Sequence, residues 1–150
     1  MENDKINMDN KLFETSDKIL VYTDGGARGN PGPAAIGVVI GQRKYCEKIG
    51  RTTNNVAEYE AVIFALKKIK ALFGKKGTKE INVEIRTDSE LVSKQLNGKY
   101  RVKDADLIPL FISVWNEKQE FKKVEFIHIP REQNKEADKL VNMAMDTNEK

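Results

Sequence analysis

The run Lys18-Ile19-Leu20-Val21-Tyr22-Thr23 is almost continuously apolar, the pattern of a strand buried on both faces. Gly25-Gly26-Ala27-Arg28-Gly29-Asn30-Pro31-Gly32-Pro33 then reads as a turn, and Ala35–Ile40 and Lys44–Ile49 as two strands joined at Gly41-Gln42-Arg43. Thr53 or Asn54 is a candidate N-cap for a long helix whose Val56, Tyr59, Val62, Ile63, Leu66 and Ile69 recur at helical spacing, with Gly74 and Gly77 ending it. Ile81–Thr87 alternates as a strand does, and Ser89–Leu96 reads as a short helix ending at Asn97-Gly98. A basic loop, Lys99-Tyr100-Arg101-Val102-Lys103, leads to a helix over Asp104–Glu120 with Pro109 near its first turn. Val124–Ile129 is a further strand stopped by Pro130, and Asn134–Asp146 the last helix, with Leu140, Val141, Ala144 and Met145 inward. The order βββαβααβα predicts an α/β fold: a five-stranded mixed sheet with helices on both faces.

Composition changes this picture little. At 150 residues, 39% hydrophobic and 33% charged, the chain suits one globular domain with its own core. No apolar run reaches the ~18–20 residues of a spanning helix, so no membrane association is expected. The single cysteine, Cys46, can form no internal disulfide and no cysteine-based zinc site, and fits a reducing, cytoplasmic setting. Residues 1–17 lack an apolar period and carry five acids against two bases; they read as a flexible acidic extension, neither signal nor transit peptide. The expected domain is 18–146, with 147–150 as a tail. The net charge of +3 conceals the extension's −3, so the body carries +6.

Four carboxylates stand where solvated ones do not. Asp24 and Asp88 each follow a buried strand, at the end where open α/β sheets bind ligands. Glu58 shares a helical stripe with Ala61, Val62, Ala65 and Ile69, and Asp138 shares one with Val141 and Met145. Each has an ordinary reading as well: a helix cap for Asp88, a turn for Asp24, dipole pairing for Glu58 and Asp138. If the strands bearing Asp24 and Asp88 are neighbours, all four can converge. Clustered carboxylates suit hard divalent cations, and two such ions ~4 Å apart stabilise both oxygens of a phosphoryl displacement. Set apart from these four, the body has 24 basic and 14 acidic residues, a surface suited to a polyanion.

The residues around these acids resemble the four motifs of type 1 ribonuclease H. Tyr22-Thr23-Asp24-Gly25-Gly26-Ala27-Arg28-Gly29-Asn30-Pro31-Gly32-Pro33 is similar to the first and Thr53-Asn54-Asn55-Val56-Ala57-Glu58-Tyr59-Glu60-Ala61 to the second. Thr87-Asp88-Ser89-Glu90-Leu91-Val92 is similar to the third, and His128-Ile129-Pro130-Arg131-Glu132-Gln133-Asn134-Lys135-Glu136-Ala137-Asp138 to the fourth. The resemblance implies an endoribonuclease that cuts the RNA strand of RNA/DNA hybrids, leaving 3′-hydroxyl and 5′-phosphate ends. It implies that Asp24, Glu58, Asp88 and Asp138 hold two Mg²⁺ ions, with Mn²⁺ as a substitute. It further implies substrate contacts at Gly25, Asn30, Thr53, Asn54, Asn55, Ser89 and Glu90. The family's basic protrusion is missing, as in its compact archaeal-type branch, which leaves Lys94, Lys99, Arg101 and Lys103 for the phosphates. The resemblance implies that either Arg131 or His128, in the loop before the last acid, assists the reaction. Arg131, which cannot exchange protons near neutral pH, would position phosphate or aid release. A monomer is expected, and double-stranded RNA is an open second substrate because it too offers 2′-hydroxyls.

Overall fold

The computed structural model describes residues 13–15 and 18–147. Its elements are β1 (Phe13–Thr15), β2 (Lys18–Ala27), β3 (Gly32–Ile40), β4 (Arg43–Thr52), α1 (Asn54–Thr78), β5 (Asn82–Thr87), α2 (Glu90–Leu96), α3 (Ile108–Lys118), β6 (Lys123–His128) and α4 (Lys135–Asp146). Five strands lie in the order β4-β3-β2-β5-β6, the expected mixed sheet, and β1 pairs antiparallel with the start of β2. The rest of the 1–17 extension and residues 148–150 lie outside the described residues.

β2, β3 and β4 meander antiparallel, while β5 and β6 run parallel to β2 and to each other. One face of the sheet carries α1, α2 and α3 over a core of Ile19, Val21, Val38, Ile85, Tyr59, Leu66, Val92, Val114 and Phe126. On the other face α4 lays Val141 and Ala144 against Ala35. Both helices come close because the sheet offers no side chain at the crossing. A Cβ on Gly25 of β2 would lie 2.3 Å from the Ala57 carbonyl of α1, and one on Gly37 of β3 would lie 2.3 Å from the Ala137 carbonyl of α4.

Three sequence expectations change. Gly25-Gly26-Ala27 is not turn but the end of β2, pairing with Ile36, Ala35 and Ala34 of β3. The glycines there admit α1 and do not bend the chain. α3 starts at Ile108 and not at Asp104: the Asp104 Oδ1 accepts the Asp106 N–H in a local turn, and Pro109 sits in the first helical turn. α1 continues to Thr78 across a kink at Gly74, whose φ of 81° is the left-handed conformation glycine adopts freely.

Candidate active site

The parallel pairing of β2 with β5 ends at Thr23 opposite Thr87. Asp24 and Asp88 are therefore the residues just past the last paired positions of two adjacent parallel strands, on the carboxyl side where open α/β sheets bind ligands. Helix α1 brings Glu58 to the same spot. Thr53 caps its N-terminus through a 3.3 Å bond from the Val56 N–H, and the Gly25 crossing sets its height over β2. Oxygens of Asp24, Glu58 and Asp88 all lie within 4.8 Å of one another. They line a cleft of about 390 Å³ together with Gly25, Arg28, Asn54, Arg131, Asp138 and Asn142. Asp138 is exposed and faces this cleft; the core-facing stripe predicted for it belongs to Ala137, Leu140, Val141 and Ala144.

The electrostatics are unfavourable for the protein alone. Burial, then the charges of Asp88 and Asp138, push the Asp24 carboxyl up to about 8. Burial, then Asp24 and Asp88, hold the Glu58 carboxyl well above the usual range. The Gly25 N–H draws both back, and the Arg131 guanidinium does so for Glu58, without cancelling the rise. The Glu58 Oε1 is buried and has no hydrogen-bond partner. A divalent cation answers each of these features: it takes oxygen ligands, displaces the protons and satisfies that orphan oxygen. The residues present fit such an ion.

The other predicted residues divide. Asn54 and Arg131 line the cleft; His128, exposed at the end of β6, does not. Asn30, Thr53, Asn55, Ser89, Glu90, Lys99 and Arg101 lie outside its lining. Asn30 Oδ1 accepts the Asn54 N–H at 2.9 Å and Asn54 Oδ1 accepts the Ala27 N–H at 2.8 Å. Both acceptor oxygens are spent on the protein, which leaves the amide donors of these exposed side chains for a ligand. Ser89 Oγ caps α2 by accepting the Val92 N–H, and Glu90 pairs with Lys94 at 3.2 Å. The buried Tyr59 hydroxyl donates to Gln95 Oε1, and Gln95 Nε2 donates to the Arg101 carbonyl, tying the basic loop to the helix of Glu58.

Sequence reasoning missed the roles of two residues here. Arg28 extends along the cleft, donating to Asn142 Oδ1 at 3.1 Å and pairing with Asp146 at 2.9 Å. Asn134 is 1% exposed and hydrogen-bonds Asp88. In the sequence each is an ordinary polar residue of a turn or helix, and only the fold gives it neighbours.

A family model described as reverse transcriptase-like matches residues 22–144. Ribonuclease H of Pseudomonas entomophila is 33% identical over 150 residues, covering 87% of this chain and 95% of that protein. The chain belongs to the ribonuclease H family. Among solved structures, LC11-RNase H1 in complex with an RNA/DNA hybrid superposes with a TM-score of 0.80 at 48% identity, covering 85% of this chain and 96% of that one. RNase H1 from the halophilic archaeon Halobacterium salinarum gives a TM-score of 0.78 at 40% identity, covering 86% and 98%, in keeping with the compact archaeal-type branch of ribonuclease H. The chain spans 36% of the length of three mycobacterial relatives that it matches at 38% identity, among them the bifunctional protein Rv2228c of Mycobacterium tuberculosis.

Proposed function

We propose that this chain hydrolyses the RNA strand of RNA/DNA hybrids with two divalent cations, leaving 3′-hydroxyl and 5′-phosphate ends. The observation that carries this reading is the convergence of Asp24, Glu58 and Asp88 within 4.8 Å where the parallel pairing of β2 with β5 ends. Asp138 faces them across the cleft and completes the set that would hold the metal. Mg²⁺ or Mn²⁺ held by these carboxylates would supply charge neutralisation at the attacking and leaving oxygens of a phosphodiester and a more acidic water near neutral pH. The free amide donors of Asn30 and Asn54 suit the hydroxyl and phosphate oxygens of a minor groove that displays ribose. The loop of Lys99, Arg101 and Lys103, tied to α1 where Gln95 joins the Arg101 carbonyl to Tyr59, suits nucleic-acid phosphates. Membership of the family and its likeness to a hybrid-bound relative support the substrate class. Among the described residues no helix is long and apolar enough to cross a membrane.

The test is hydrolysis of an end-labelled hybrid by the full chain with Mg²⁺ or Mn²⁺, beside double-stranded RNA and DNA of the same sequence. Cleavage of the hybrid's RNA strand to products with 5′-phosphates is expected; an intact hybrid at micromolar enzyme rejects the reading. Arg131 and His128 separate in the same assay. Arg131 lines the cleft and acts on Glu58, whereas His128 lies outside its lining. Arg131→Ala is expected to lower kcat roughly tenfold, the worth of one charge-assisted hydrogen bond. His128→Ala is expected to cost less, and the reverse order exchanges their roles.

A further inference from the structure

Asn134 stands at the N-cap of α4, where an asparagine ordinarily turns its side-chain oxygen onto the helix's first free N–H groups. It does not do so here: α4 has no side-chain cap bond, and the Asn134 Oδ1 is buried without a partner. The amide nitrogen points elsewhere. It donates to the Thr23 carbonyl and to Asp88 Oδ2, both at 2.9 Å. The backbone carbonyl of the same residue accepts the Asp138 N–H at 3.1 Å. One buried residue thus touches the peptide before Asp24, the carboxylate of Asp88 and the backbone of Asp138. These groups come from three separate parts of the fold: the end of β2, the end of β5 and the first turn of α4.

We propose that Asn134 is a positioning residue for the metal site: it forgoes its capping bond to fix Asp88 in rotation and to register β2, β5 and α4 so that their carboxylates face one cleft. The inference rests on the proposed metal-dependent reading. A carboxylate on a strand end rotates freely about its side-chain torsions unless a donor holds one oxygen. With Oδ2 engaged by Asn134, Asp88 presents its other oxygen in one orientation. Partners of this kind, which orient a ligand without being one, are worth about 10–100-fold in metal affinity.

The experiment titrates the metal-free full chain with Mn²⁺, followed by loss of the free-ion EPR signal, for wild type, Asp24→Asn, Asn134→Ala and Asn134→Ser. Serine is an efficient N-cap, so Asn134→Ser offers α4 the side-chain cap that wild type lacks, without the reach to Asp88, and it separates positioning from folding. Both Asn134 variants are expected to bind Mn²⁺ about 10–100-fold more weakly, with the serine variant's metal-free melting temperature near the wild-type value. Their hybrid cleavage is expected to recover toward wild type as Mn²⁺ is raised. Wild-type Mn²⁺ affinity in Asn134→Ser overturns the inference and leaves the metal site standing. Identical isotherms for wild type and Asp24→Asn overturn both, because the ion then does not bind at the carboxylates.

Discussion

Asp24→Asn is expected to lower hybrid cleavage by about 10³-fold or more and, in the same protein, to raise the thermal stability of the metal-free state. The stability gain follows from the site's own electrostatics. The Asp24 carboxyl ordinarily titrates at 3.8 and in the fold at about 8. Between those values the folded chain holds a proton that the unfolded chain has lost. The Asp24 contribution to stability without metal is therefore fullest below pH 4 and is lost as pH rises through 8. An amide carries no such charge. The gap between variant and wild type should open over that window and reach the order of a few kcal/mol at pH 9, because each tenfold change in proton affinity is worth about 1.4 kcal/mol. Melting curves in chelator at pH 5, 7 and 9 measure it. Saturating Mg²⁺ should close the gap by stabilising only the wild type. A gap that is constant with pH, or one that widens with Mg²⁺, contradicts this origin of the effect.

Gly25→Ala and Gly26→Ala, one residue apart, are expected to behave oppositely. At Gly25 a methyl group would meet the Ala57 carbonyl carbon and oxygen at 2.3 Å and the Glu58 nitrogen at 2.7 Å. These are backbone atoms of α1 and cannot swing aside, so the helix must lift from the sheet and take Glu58 with it. A loss of about 3 kcal/mol in stability is expected, the upper range for an overpacked core, together with a fall in cleavage. At Gly26 the nearest atom is Val141 Cγ1 at 3.8 Å, ordinary contact, and the change should stay within about 0.5 kcal/mol. Chemical denaturation of both variants, with cleavage assayed below their transitions, decides it. Equal stabilities remove Gly25 as the seat of α1.

Much of the fold was legible because burial leaves periodic traces. The apolar run before Asp24, the stripe through Tyr59 and Leu66, and the alternation before Asp88 each report a local environment that one stretch of chain already encodes. The elements misread were those whose length depends on a neighbour. Gly25-Gly26-Ala27 has turn composition, yet β3 supplies hydrogen-bond partners for it and α1 and α4 pack over it, so the strand continues. Asp104-Ala105-Asp106 carries no feature that forbids a helix; there the side-chain oxygen of Asp104 competes for a backbone donor and delays the start. β1 could not be read in advance, because strand pairing of Phe13–Thr15 depends on β2 and not on any period of its own.

The sequence alone singled out the residues proposed to carry the chemistry: four acids in four motifs, amid a basic body. Charge and residue type are local properties, and a carboxylate at a strand end or on an apolar stripe is conspicuous without coordinates. The tertiary structure alone decided that Asp24, Glu58 and Asp88 share one 4.8 Å cluster, that Arg131 lines its cleft while His128 does not, and that Asn134 holds Asp88. Those facts belong to pairs of residues as much as 111 positions apart in the chain, as between Asn134 and Thr23. Such distances follow from strand register and from how closely two helices approach the sheet, and no single stretch of sequence contains either.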